Sequence, residues 1–131
     1  MVDSTAVVAA LVVRRGDEAL SRRLASATEL HAPQLIDIEV LHALRRLVAI
    51  GQITSGRAQK VREDFAAMRV RRYPHEPLAD RVWELRNSFT PADAAFIVLA
   101  ETLEIPFVTC DPRLASTLGH AAEIELFAGS A

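Results

Sequence analysis

Four carboxylates in this 131-residue chain stand where secondary structure begins, each beside a hydroxyl residue or an apolar run. Asp3 lies in Met1-Val2-Asp3-Ser4-Thr5-Ala6, and Glu39 in Leu35-Ile36-Asp37-Ile38-Glu39-Val40-Leu41. Asp93 lies in Thr90-Pro91-Ala92-Asp93-Ala94-Ala95, and Asp111 closes Phe107-Val108-Thr109-Cys110-Asp111. A carboxylate on a largely apolar element is costly to desolvate unless a cation or hydrogen-bond donors meet it. If all four converge they repel one another, and a hard divalent cation is the natural way to hold them together. The chemistry this pattern points to is metal-dependent.

The elements that must position these acids alternate short apolar strands with helices. A very short first strand ends at Asp3, a helix follows through about Val13, and a second helix covers roughly Asp17 to Ala27. An extended piece from Glu29 to Ala32 leads to a third helix, Pro33 to about Ile50, stopped by Gly51. Thr54 can cap a fourth helix to about Met68, with Val70 to Tyr73 extended and a break at Pro74. Helices from about Pro77 to Arg86 and from Pro91 to Glu104 precede a strand, Pro106 to Cys110. A short helix to Leu118, Gly119 and a last strand, Glu123 to Phe127, end the chain. Such alternation argues for a parallel sheet covered on both faces, in which ligands bind beyond the carboxyl ends of the strands. Asp3 and Asp111 both fall at that edge.

Each acid also has a purely structural reading. Asp3 and Asp111 can be helix N-caps, and Thr90-Pro91-Ala92-Asp93 reads as a capping box. Glu39 can be an exposed helical residue. At about 100° per residue, however, Glu39 shares a stripe with Leu35, His42 and Arg46, opposite Ile36, Val40, Leu41, Leu44, Leu47 and Val48. Residues 94 to 100 are apolar on every side, the pattern of a buried helix, so Asp93 belongs at the inner end of a cleft.

Composition bounds the remaining choices. Half the residues are hydrophobic, which suits one folded domain over residues 1–131. No apolar run reaches the ~20 residues that cross a bilayer, and no export signal is visible. A single cysteine, Cys110, then fits a reducing cytoplasm and a small buried position in a strand. The net charge of −2 does not advertise nucleic-acid binding. Fourteen arginines against one lysine, Lys60, permit bidentate phosphate contacts, although a GC-rich genome explains the same bias.

Taken together these motifs resemble the PIN-domain ribonucleases, and within them the VapC-type toxins of bacterial toxin–antitoxin pairs. Val2-Asp3-Ser4-Thr5-Ala6 is similar to the family's opening hydrophobic-Asp-(Ser/Thr)-Ser-Ala motif. Glu39, with Pro33 before it and Ala43-Leu44 after it, is similar to its helical glutamate. Thr90 to Ala95, followed by Leu99-Ala100-Glu101, matches the third acid, and Val108-Thr109-Cys110-Asp111-Pro112-Arg113-Leu114 matches the last. The match spans nearly the whole chain in the right order. It departs in three places. Only two residues precede Asp3, which is consistent with a start further upstream, His42 stands where asparagine is common, and Thr5 where serine is.

The resemblance implies an α/β, PIN-like three-layer α/β/α fold with a short, mostly parallel central sheet of four or five strands. It implies a metal-dependent endoribonuclease that hydrolyses RNA phosphodiester bonds with Mg²⁺ or Mn²⁺, forms a homodimer and is inhibited by a cognate VapB-like antitoxin. Asp3 and Asp93 would be the most direct metal ligands, Glu39 and Asp111 would complete the site, and Thr5 and Thr109 would fix the acids by hydrogen bonds. One metal or two is open. Arg46, Arg69, Arg71 and Arg72 would track RNA phosphates, or form an ordinary solvated face with Arg45, Arg57 and Arg62. His42 is read as pairing with a carboxylate or with RNA, His31, His75 and His120 as surface or loop residues, and Tyr73 and Trp83 as core, interface or base-stacking residues. A second Glu-x-x-His pair, which a di-iron bundle needs, is missing. Two other functions stay open: a catalytically silent PIN-like module that only binds RNA or a partner, and another α/β phosphate-handling enzyme.

Overall fold

The computed structural model describes residues 1–12 and 18–128. The elements run α1 (Ser4–Val12), α2 (Glu18–Ala25), β1 (Leu30–Pro33), α3 (Ile36–Ala49), α4 (Ser55–Ala67) and β2 (Val70–Tyr73). After a 3₁₀ turn (Glu76–Leu78) come α5 (Ala79–Glu84), α6 (Pro91–Leu103), β3 (Phe107–Thr109), α7 (Pro112–Ser116) and β4 (Ile124–Leu126). The expected end of the first helix at Val13 and start of the second at Asp17 lie outside the described residues.

Local chemistry sets most of these boundaries. The Thr54 and Thr90 hydroxyls cap α4 and α6 by accepting the Arg57 and Asp93 N–H groups at 3.0 and 3.2 Å. Past α3, Gly51 takes φ +76°, where a side chain would be strained. The N–H groups of Gly51 and Gln52 thereby fold back on the carbonyls of Val48 and Leu47. Pro33, expected to open α3, instead ends β1 in register with Tyr73, and the helix starts at Ile36. The Tyr73 carbonyl goes on to bond the N–H of Gln34, which holds this segment extended. The helix expected from Pro77 to Arg86 divides into the 3₁₀ turn and α5, because the Leu78 N–H bonds the carbonyl of His75 in the tighter 3₁₀ pattern.

The strands form two parallel pairs, β1 with β2 and β3 with β4, where a single sheet of four or five strands was expected. Residues 1–2 join the pairs: the Val2 N–H donates to the His31 carbonyl at 3.0 Å, and the Val108 N–H donates to the Met1 carbonyl at 2.8 Å. Val2 and Val108 form one isolated parallel bridge. Residues 1–2 therefore join the pairs through single bonds and one bridge, and not as a strand ladder.

Helices enclose these strands in an α/β/α arrangement. Residues 94–100 of α6 are all buried, as the unbroken apolar run predicts, and the Phe96 ring stacks on Phe107 of β3 with centroids 6.1 Å apart. Ile36, Val40 and Leu44 bury one face of α3. Leu41, expected on that face, is 42% exposed and joins Ile38 in a solvent-facing apolar stripe. Arg57 caps the carboxyl end of α1 by donating to the Leu11 and Val12 carbonyls at 2.8 and 3.2 Å. Arg81 of α5 clamps Glu101 of α6, whose carboxylate also receives the Ala121 N–H at 2.7 Å, and so ties the approach to β4 against α6.

Candidate active site

Asp3 follows the joining segment at the carboxyl edge of the strands and is buried. Its Oδ1 accepts the Thr5 hydroxyl at 2.6 Å and the Ala6 N–H at 3.0 Å, so it caps α1 as the structural reading expects. Its Oδ2 accepts the hydroxyl of fully buried Thr109 at 2.5 Å. Thr109 in turn accepts the Asp111 N–H at 3.0 Å, and Thr5 accepts the N–H of Cys110 at 2.9 Å. The two hydroxyls lie 3.2 Å apart. Both ends of the chain are thereby drawn onto one carboxylate. Burial pushes the Asp3 carboxyl above its usual range, while the Thr109 and Thr5 hydroxyls and the Ala6 N–H oppose the shift and the Asp111 charge adds to it.

Substitution of Thr109 by valine keeps the shape but removes the donor to Asp3 and the acceptor for Asp111. Leaving buried groups unpaired in this way is expected to cost about 1–3 kcal/mol, read by urea denaturation, with Thr109→Ser close to wild type. A Thr109→Val protein as stable as wild type would show that these bonds contribute nothing.

Asp111 caps α7 by accepting the Arg113 N–H at 3.0 Å. The Arg113 guanidinium also donates to Asp111, at 3.2 Å from Nε and 2.7 Å from Nη2, and the same nitrogen reaches Asp93 Oδ2 at 3.8 Å. Hydrogen bonds from Arg113 hold the Asp111 carboxyl below its usual range despite partial burial. Asp93 sits half-buried in the first turn of α6, next to the Thr90 cap.

Three of the four acids are thus connected: Asp3 to the Asp111 backbone through Thr109, and Asp111 to Asp93 through Arg113. Glu39 is half-buried on the first turn of α3, which packs against α1, and its side chain makes no hydrogen bond or ion pair among the described residues. Among those residues, no three His, Cys, Asp or Glu side chains stand together at metal-holding distance. Arg113 provides the positive charge between Asp93 and Asp111. Arg113 falls within the Val108-to-Leu114 motif, which by itself assigns it no role. Its position two residues after a capping aspartate was the available signal, because the side chain of such a residue can fold back on the cap.

The donors are carboxylates backed by hydroxyls, with no imidazole joined to them. That set suits Mg²⁺ or Mn²⁺, which prefer oxygen, over thiophilic or imidazole-seeking ions. Asp3, Asp93, Asp111 and, if it turns inward, Glu39 could hold such an ion.

The arginines divide. Arg72 is committed to Asp37 through two bonds at 2.6 and 2.8 Å, and Arg71 lies over the Tyr73 ring at 5.4 Å. Arg46 and Arg69 are exposed. His42 is exposed as well and pairs with no carboxylate among the described residues. His75 is exposed in the loop before the 3₁₀ turn, as expected, and accepts the Leu35 N–H at 3.0 Å, whereas His31 is half-buried in β1 with its ring 2.7 Å from the Tyr73 hydroxyl. Cys110 is half-buried in a bend just past β3 and not within the strand. Beside Asp93, an apolar cleft of about 370 Å³ is lined by Leu35, Leu78, Val82, Pro91 and Ala95, with Trp83 exposed nearby on α5.

The PIN domain family profile matches residues 1–118. Ribonuclease VapC12 of Mycobacterium tuberculosis is 40% identical over 128 residues, 98% of each chain. Ribonuclease VapC1 of the same organism is 38% identical over 127 residues, 96% of each, and Ribonuclease VapC9 is 34% identical over 117 residues, 89% of each.

Proposed function

Since this chain belongs to the PIN-domain family, we propose that it is an endoribonuclease toxin of the VapC type. It hydrolyses RNA phosphodiester bonds with Mg²⁺ or Mn²⁺ and is held inactive by a cognate VapB-like antitoxin. The observation that carries this reading is Asp3, a buried carboxylate gripped by Thr5 and Thr109, with Asp111 linked to it through Thr109 and to Asp93 through Arg113.

In this reading Asp3 and Asp93 are the most direct ligands of the cation, with Glu39 and Asp111 completing the set directly or through water. Thr5 and Thr109 fix the Asp3 oxygens, so the acid needs no reorientation when the cation arrives. When bound, the divalent ion supplies an acidified attacking water and charge neutralisation at the scissile phosphate. All four arginines are exposed candidates for contacts to RNA phosphates; Arg46 and Arg69 are the least engaged, while Arg71 lies over Tyr73 and Arg72 is bonded to Asp37. The cleft by Asp93 and the exposed Ile38, Leu41 and Trp83 supply apolar surface for the antitoxin or for a second copy in a homodimer. No helix among the described residues is long and apolar enough to cross a membrane. In this reading the protein meets its RNA in the cytoplasm.

Incubation of structured RNA with the protein tests the reading directly. Cleavage is expected with Mg²⁺ or Mn²⁺, and its abolition is expected with EDTA. Metal-independent cleavage would remove the cation from the mechanism. RNA binding with no cleavage under any metal would instead favour the silent binding module.

A further inference from the structure

Arg113 bridges two acids, as Arg81 does between Glu84 and Glu101, but its two acids belong to the candidate site. Its guanidinium takes both oxygens of Asp111, at 3.2 and 2.7 Å, and one of its nitrogens also reaches Asp93 at 3.8 Å. These are the two acids that α7 and α6 bring to the site. The side chain is 74% exposed, so it can leave toward solvent without disturbing the core. Its backbone does separate work. The Arg113 N–H donates to the capping Asp111 carboxylate, and its carbonyl accepts the hydroxyls of Ser116 and Thr117, so α7 does not depend on the guanidinium.

We propose that Arg113 is a built-in counter-cation of the acidic centre: it neutralises Asp93 and Asp111 in the metal-free protein and must swing out before both can hold a divalent ion. This rests on the reading of Asp93 and Asp111 as metal ligands given above. Two negative groups facing one another without a cation would repel and splay apart. A monovalent guanidinium keeps them gathered; it holds the largely buried Asp111 by two bonds, but its own side chain is exposed and its reach to Asp93 is the longer, weaker contact. A divalent ion, with twice the charge and a smaller radius, displaces it. Arg113 is therefore a positioning residue, which preserves the geometry of the acids and competes with the cation for their oxygens.

The full-length protein, free of metal, is titrated with Mg²⁺ by calorimetry, as wild type and as Arg113→Gln. In parallel the Arg113 side-chain Nε–H is followed by nitrogen-edited NMR, its resonance assigned by its loss in the variant. Wild type is expected to bind Mg²⁺, with the Arg113 resonance moving from a hydrogen-bonded to a solvent-exchanging position at the same midpoint. Arg113→Gln is expected to bind Mg²⁺ about threefold to tenfold tighter, the size of one partly exposed ion pair released from competition. A merely structural arginine would give the opposite sign, with weaker binding once the acids lose their support. An Arg113 resonance that stays put while wild type saturates, or a variant that binds no tighter, overturns the counter-cation proposal and leaves the metal site standing. Wild type that takes up no Mg²⁺ overturns the metal site itself, and the proposal with it.

Discussion

Asp3→Asn is expected to cut RNA cleavage by roughly a thousandfold or more while leaving the metal-free protein as stable as wild type, within about 1 kcal/mol. The two halves of this expectation come from the same geometry. Asparagine keeps a carbonyl oxygen where Asp3 Oδ1 accepts from Thr5 and Ala6, so the cap of α1 survives. Its amide group would face the Thr109 hydroxyl, which now donates to Asp3 and already accepts from the Asp111 N–H. One bond is lost there. Against that loss, a charge that burial penalises is no longer present, and the nearby Asp111 no longer repels it. A ligand to a divalent ion has no such compensation, because the amide oxygen is a far poorer partner for Mg²⁺ than a carboxylate. Single-turnover cleavage of a labelled RNA with Mg²⁺, paired with thermal melts in EDTA, measures both. Cleavage near the wild-type rate would remove Asp3 from the site. A large fall in melting temperature would mean that lost activity reports misfolding.

Phe107→Ala carries the largest expected loss of stability, about 3–5 kcal/mol. Phe107 is fully buried in β3 and stacks on Phe96 of α6, so it connects the strand that leads to Thr109 and Asp111 with the helix that carries Asp93. Truncation would leave a cavity beneath both. A domain of this size commonly has only about 5–15 kcal/mol in total, so the melting temperature should drop by roughly 10–20 °C. Phe107→Leu, which retains most of the volume, should lose less than half as much. Equal losses for the two variants would mean that shape at this position does not matter, contrary to the stacking described.

What could be read from the sequence was what neighbouring residues decide among themselves. Thr90-Pro91-Ala92-Asp93 announces a capped helix because the cap and its target lie three residues apart, and the apolar run after it announces burial because no polar face exists. Three kinds of feature were not legible. Pro33 looks like a helix start until the partner strand at Tyr73, 40 residues away, claims it for β1. Leu41 fits the buried stripe of α3, yet nothing packs over it, and periodicity alone does not say where packing stops. The ion pairing of Arg113 was hidden for a subtler reason. Asp111 has one cap role that local sequence predicts, and the guanidinium that joins it to Asp93 depends on how α6 and α7 approach each other in space. The four acids could be nominated from motif and edge position, whereas the motif around Glu39 does not reveal that its side chain joins none of the bonds that link the other three among the described residues.

The bond between the Thr109 hydroxyl and Asp3 spans 106 positions of the chain. Synthesis adds Asp3 well before Thr109, so the carboxylate waits for the hydroxyl that grips its second oxygen until the intervening chain has been made. The helix bearing Asp93 likewise has no Phe107 to stack on until β3 follows it. If these acids form the nuclease centre proposed above, that centre cannot assemble on a partly made chain.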